Sequence, residues 1–212
     1  MHKKLFNPLI CLFLFSLIIS SCNRDEPQKD GVVINGVRWA TRNVDMPGTF
    51  AENPESSGMF YQWGRNIAWS STNPMINSDG GMEWDSNFYT GDAWTRANNP
   101  CPQGWRVPTR EEIQTLIDTD NVVSEWTTIN GVNVRRFTDI NTGNRLFLPA
   151  VGWCLSGSGT LFHAGSNGIY WGSTIGSTAN AWYLGFDSGS VGAGSNNFGN
   201  RASGFSVRCV AE

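Results

Sequence analysis

The sequence predicts an α+β fold of compact antiparallel sheets with one helix and long irregular loops. Three observations predict it: two Asn-Gly dipeptides each flanked by strand-like runs, a single helix capping box, and a late Gly/Ser/Asn-dominated stretch threaded by short apolar-alternating pieces. In the first hairpin Asn35-Gly36 separates Val32-Val33-Ile34 from a run beginning at Val37 and reaching Thr41. Asn-Gly supplies the two positive φ angles of a type I′ turn, whose twist matches that of the flanking strands. Met59-Phe60-Tyr61-Gln62-Trp63 reads as a short strand or core-lining segment. Residues 70–99 are irregular, and a structureless loop of that length needs anchors, which Trp84, Phe88, Tyr89 and Trp94 supply. Thr109-Arg110-Glu111-Glu112 is a capping box, with Ile113, Leu116 and Ile117 following at helical spacing, so a helix should run from there to residues 118–121. A second hairpin turns at Asn130-Gly131, and strand-like pieces follow at residues 134–137, 145–148, 169–173, 181–186 and 205–210.

The organisation is one domain behind a leader. Lys3-Lys4 precedes an apolar run too short and too interrupted to span a membrane, which ends in Ile19-Ser20-Ser21-Cys22. This resembles the lipobox of bacterial lipoproteins, which implies that residues 1–21 are removed and Cys22 is lipidated. Residues 22–30 read as a polar tether and residues 31–212 as the domain. The acidic pair Asp25-Glu26 is similar to the surface-export signal of Bacteroidetes lipoproteins. The expected place is therefore the outer membrane, held through the lipid anchor and facing outward.

Composition excludes several functions. Fifteen Lys and Arg against eighteen Asp and Glu give a net charge of −3, and loss of the leader removes two lysines more. A sequence-independent nucleic-acid binder needs clustered positive charge, so no nucleic-acid partner is expected. Lys29 is the one lysine beyond the leader and His163 the one histidine, which leaves little for lysine chemistry or histidine-rich metal sites. No cofactor, no metal and no catalytic residue are expected.

Cys101, Cys154 and Cys209 remain after the leader and the lipid site, an odd number in an exported protein. One bridge and one spare thiol is the simplest outcome. A Cys101–Cys209 bridge would close a loop of about a hundred residues, and Cys154, after Gly152-Trp153, reads as a small buried apolar residue.

Three ordered motifs carry a family resemblance. They are Gly36-Val37-Arg38-Trp39-Ala40-Thr41-Arg42-Asn43-Val44, Cys101-Pro102-Gln103-Gly104-Trp105-Arg106-Val107-Pro108-Thr109 and Gly204-Phe205-Ser206-Val207-Arg208-Cys209-Val210. Over residues 32–211 the chain resembles the Fibrobacter succinogenes major paralogous domain. The resemblance implies a C-type-lectin-like fold with adjacent termini, the Cys101–Cys209 bridge and a displayed, non-catalytic binding role. It further implies kinship with target proteins of diversity-generating retroelements. Between Gly185 and Ser203, 15 of 19 residues are Gly, Ser, Asn, Asp or Ala, in keeping with such a segment. The Glu-Pro-Asn, Gln-Pro-Asp and Trp-Asn-Asp signatures of calcium-dependent sugar lectins are absent, as is the close cysteine pair of formylglycine-generating enzymes.

The ligand face is expected on this late segment. Trp182, Leu184 and Phe186 share one side of a strand and point to a core, while Tyr183, Gly185 and Asp187 share the other. Tyr supplies contact area and Ser, Gly and Asn adapt their hydrogen bonds, the chemistry of binding loops on rigid scaffolds. The candidate ligand-binding residues are Tyr183, Asp187, Ser188, Ser190, Ser195, Asn196, Asn197 and Asn200, for a protein or glycan ligand. The competing readings are a structural or adhesive envelope component and, further off, an enzyme of the formylglycine-generating type. Elsewhere the plainer readings prevail: His163 as a loop histidine, residues 118–121 as the polar end of the helix, and Arg135-Arg136 with Arg145 as a solvated strand face.

Overall fold

The computed structural model describes residues 30–193 and 198–212. The leader, Cys22, the tether up to residue 29 and the candidates Ser195, Asn196 and Asn197 lie outside the described residues.

In chain order the elements are β1 (Gly31–Ile34), β2 (Val37–Ala40), β3 (Phe60–Gln62), β4 (Ala68–Trp69), β5 (Trp105–Arg106), α1 (Arg110–Thr115), β6 (Val122–Ile129), β7 (Val132–Asp139) and β8 (Arg145–Pro149). There follow β9 (Trp153–Cys154), β10 (Leu161–Phe162), β11 (Gly168–Ile175), β12 (Asn180–Phe186), β13 (Val191–Gly192), β14 (Phe198–Asn200), β15 (Gly204–Phe205) and β16 (Val210–Ala211). Both Asn-Gly turns form as expected, with Asn35 and Gly36 at φ 45° and 79° and Asn130 and Gly131 at φ 49° and 83°. The second hairpin, β6–β7, is eight residues deep on each arm.

The α+β expectation is corrected: the described residues are 39% strand against 5% helix, so the domain is nearly all β. The capping box is real, with Thr109 Oγ1 accepting from the Glu112 N–H and Glu112 accepting from the Thr109 N–H. The helix nevertheless stops after six residues. Beyond it Asp118 takes over, its carbonyl accepting from the Asn121 and Val122 N–H groups and its carboxylate from the Asn121 side chain, which turns the chain straight into β6. One short helix cannot form a layer of its own, so sheets pack on sheets.

Among the described residues four antiparallel sheets result, ordered β1-β2-β16-β5, β10-β9-β15-β3-β4, β6-β7-β8 and β11-β12-β13, with β14 also on β12. Val210 of β16 pairs with Trp39 of β2, so the two ends of the domain share a sheet. The disulfide Cys101–Cys209 forms with a Cα separation of 6.1 Å, and Cys154 is free and buried.

The β11–β12 pair divides the interior. Tyr170, Leu184 and Phe186 pack into a core with Ile34, Trp39, Ile113, Leu116 and Phe137. Trp171 and Ala181 turn the other way, into a second core with Tyr61, Trp63, Phe205 and Val207. Trp171 and Phe205 stack there with ring centroids 4.0 Å apart. The long segment before β5 is tied down by its aromatics, as expected: Trp84 lies on Trp69 at 4.9 Å, and Trp94 on Trp63 at 5.7 Å.

Two strand expectations change. Residues 205–210 are not one strand with an open side; they split between β15 and β16, and all six are buried because sheets lie on both sides. Arg135 is not on a solvated face. It is 8% exposed, with its guanidinium donating to Ser124 Oγ at 3.0 Å and to the Asp187 carbonyl at 3.3 Å, whereas Arg136 pairs outward with Glu125.

Candidate functional site

β12 is the strand that carries the site. One edge pairs with β11 from Phe186 to Tyr183 and again at Ala181, with a bulge on the β11 side between Trp171 and Ile175. The other holds two short pieces, β13 at Gly185–Gly192 and Phe186–Val191, and β14 at Asn180–Asn200 through Trp182–Phe198. Tyr183 and Leu184 lie between these pairings. Leu184 is 1% exposed and Phe186 3%, so the inward face is locked by packing.

Tyr183 is half-buried, edge-on to Phe205 with centroids 5.4 Å apart, and burial raises its phenol pKa. The second face of β12 is therefore backed by the second core rather than open along its length. The reason is that β15 brings Phe205 beneath it.

Beyond β12 the chain turns at Asp187. Its Oδ1 accepts from the Gly189 and Ser190 N–H groups at 2.8 Å each and from Ser190 Oγ at 3.1 Å. These donors, chiefly the two backbone N–H groups, hold its carboxyl below the usual range. This is an Asx-type turn in which the side chain stands in for a backbone acceptor. Arg135 supports it from below through the Asp187 carbonyl.

The structure brings three of the predicted residues together. Tyr183, Asp187 and Ser190 line one shallow cavity of about 260 Å³ with Asn167 and Ile169. Ser188 is exposed at the tip of the turn, outside that cavity. Asn200 is exposed at the far end of β12, opposite Asn180, and its Oδ1 accepts from the Ala202 N–H at 2.9 Å. The sequence reading missed Asn167, Ile169 and the supporting Arg135. The Asp-Ser-Gly-Ser run was legible as an Asx turn; nothing in the sequence pairs it with Arg135.

The cavity offers a phenol, a serine hydroxyl, an amide and the Asp187 carboxylate around a small apolar floor. That set orients a ligand by hydrogen bonds, with the Ser190 hydroxyl and the Asp187 carboxylate engaged with each other in the turn. Elsewhere, burial pushes the Cys154 thiol up to about 12, which holds it in the unreactive protonated form. His163 sits exposed at φ 55°, with its ring stacked on Trp153 at 4.9 Å. Among the described residues no three His, Cys, Asp or Glu side chains are placed to share a metal ion. Asp118 and Asp139 instead accept from Asn35 and fix the first hairpin turn.

A family model described as the Lcl C-terminal domain matches residues 58–211. No curated protein and no solved structure matches the chain.

Proposed function

The chain belongs to the Lcl C-terminal domain family, a family of bacterial paralogous domains, and on that footing we propose that it is a non-catalytic binding module displayed at the cell surface. A lipid on Cys22 anchors it in the outer membrane, residues 22–30 hold it off the surface, and a protein or glycan ligand docks on the β12 face. The fold type is C-type-lectin-like, and the segment after Gly185 is the variable part of a retroelement-diversified protein.

One observation carries this reading, the contrast across β12. Trp182, Leu184 and Phe186 are fixed in the interior, while the turn that follows them presents Ser188, Gly189 and Ser190 to solvent on a base tied by Asp187 and Arg135. A rigid platform bearing small polar residues tolerates sequence change at its surface without loss of the fold. The buried thiol of Cys154 and the stacked ring of His163 support the non-catalytic part.

A saturation scan of residues 174–203 on displayed protein, reading folding and ligand capture separately, tests the face. Positions 187, 188, 190 and 200 should affect capture while leaving folding intact. Capture that tracks folding at every position would refute it. Cys22→Ser should release the protein from membrane fractions or stall its processing, and unchanged membrane retention after normal cleavage would refute the anchor.

A further inference from the structure

A larger cleft lies away from the β12 face and shares no lining residue with it. It has two lobes, of about 380 and 620 Å³, that meet at Ser71 and Leu161, which line both. The first lobe is walled by Trp69, Trp84 and Met82 and rimmed by the hydroxyls of Thr72, Ser158 and Thr160. The second runs over Val151 and Leu161 beneath a rim that includes Asn133 and Glu55, and the Asn130 amide donates to Glu55 at 2.6 Å across that rim.

We propose that this cleft binds an uncharged oligosaccharide chain. Its lining selects that chemistry in three ways. First, among the described residues no Lys or Arg lines either lobe and Glu55 is the one charged residue there, so sulfated, phosphorylated or uronate chains meet no counter-charge from them. Second, neutral hydroxyls and amides supply the polar lining, and two of the lining hydroxyls, Thr72 and Thr160, are each paired with a neighbouring serine. Ser158 Oγ and Thr160 Oγ1 lie 2.8 Å apart, and Ser70 Oγ and Thr72 Oγ1 2.7 Å apart. A hydroxyl both donates and accepts, so the Ser158–Thr160 pair keeps one proton and lone pairs for a polyol, while Thr72 Oγ1, which donates to the Pro74 carbonyl at 2.9 Å and takes the Ser70 proton, offers acceptor capacity alone. Third, indole surface stands beside them, as an apolar body with a polar edge suits a sugar ring. The Trp69 indole N–H, buried in that wall, has no hydrogen-bond partner among the described residues. Each lobe falls within the roughly 300–1,000 Å³ of small-molecule sites, and the shared junction at Ser71 fits a chain of rings rather than one.

The wall is built firmly. Trp84 is held by an indole hydrogen bond to the Ser156 carbonyl at 2.8 Å and lies flat against Gly159, where an added Cβ would come within 2.6 Å of its ring. Ser71 and Met82 are exposed, so replacing either leaves the cores untouched.

The test is a titration of the full chain in detergent micelles, read by tryptophan fluorescence and calorimetry. The probes are maltohexaose, cellohexaose, xylohexaose, mannohexaose and chitohexaose, with glucose and a heparin hexasaccharide as comparators. At least one neutral hexasaccharide should bind with Kd at or below about 1 mM, at least tenfold tighter than glucose. Ser71→Arg at the junction and Met82→Arg at the first lobe should each weaken binding by about tenfold or more, with an unchanged melting temperature. Asp187→Ala, on the other face, should leave this binding as it is, so failure here and failure of the β12 reading are separable. No binding of any neutral hexasaccharide, tighter binding of the heparin fragment, or full affinity in both arginine variants would overturn the proposal.

Discussion

Arg208 and Asn43 meet in the buried interior, with Arg208 Nε and Nη2 donating to Asn43 Oδ1 at 3.0 and 2.7 Å. Both residues are fully enclosed, and among the described residues no carboxylate pairs with the guanidinium; its remaining bond goes to the Ala40 carbonyl at 3.1 Å. The Asn43 amide passes the chain of bonds on, donating to the Ser57 carbonyl at 2.9 Å and to the Tyr170 hydroxyl, which donates in turn to the Pro149 carbonyl at 2.7 Å. One side chain of the first motif thus fixes one of the last, and between them they tie β2 to the end of the chain. Burial pushes the Arg208 pKa down to about 10.

A cation desolvated this way depends on its acceptors. Asn43→Leu removes the amide oxygen that takes two of the three bonds and should cost about 3 kcal/mol or more, since hydrogen bonds to charged groups are worth about 1.5–3 each. Urea unfolding of the variant against the parent measures it; a loss under about 1 kcal/mol would mean that water replaces Asn43.

Arg208 also marks where sequence reading stops. Local chemistry was legible: the Asn-Gly turns, the capping box at Thr109 and the inward face of β12 all form as their residues dictate. What a single sequence does not carry is which polar residues the sheets enclose. Arg135, Arg201 and Arg208 look like solvated charges, yet each is buried against distant partners; Arg201 lies over the Trp63 ring at 4.1 Å and donates to the carbonyls of Gly91 and Thr178. The fold class was missed for a related reason. A capping box tells where a helix starts, but the length of α1 was set by the Asp118 turn beyond it. At the site, Tyr183, Asp187 and Ser190 came together because they sit on one strand end, and Asn200 did not because β14 pairs with the opposite end.

The bridge between Cys101 and Cys209 spans 108 residues of chain. In the chain-entropy model a loop of that size is worth about 4–5 kcal/mol, a large share of the roughly 5–15 kcal/mol of a typical domain. Mild reduction should therefore lower the unfolding midpoint sharply. Non-reducing peptide mapping should recover these two cysteines linked and Cys154 alkylated only after unfolding.

Cys154 gives the domain an alkaline weakness. Its folded thiol titrates near 12, raised by burial from an ordinary 9.0. Between those values the unfolded chain releases the proton first, so stability is fully present below pH 9 and falls as the pH rises toward 12. Burial raises the Tyr170 phenol to about 12 as well and acts in the same sense; the lowered Arg208 acts in the opposite one. Cys154→Ala removes a single contribution. Its unfolding free energy should be lower at neutral pH, from the cavity, but should decline less steeply between pH 9 and 11 than the parent's, as read from denaturant curves at several pH values.

Phe198 pins β14 to β12. Trp182 is 6% exposed, with the Arg110 guanidinium 3.7 Å from its ring and the Phe198 ring centroid 4.2 Å away. Phe198 itself is 38% exposed and lies over Gly176, where an added Cβ would come within 2.2 Å of its ring. Trp182→Ala empties an interior position and should cost about 3–5 kcal/mol, lowering the melting temperature of the whole domain. Phe198→Ala removes a half-exposed ring and leaves both cores filled, so its effect should be local. The three pairings of β14 with β12 are what that ring holds down. Hydrogen exchange should then accelerate at residues 198–200 and at the β12 residues facing them, with the exchange of Leu184 and Phe186 unchanged. Uniform acceleration across β12 would instead show that β14 is an integral strand of the core, and that the surface after Gly185 cannot vary independently of it.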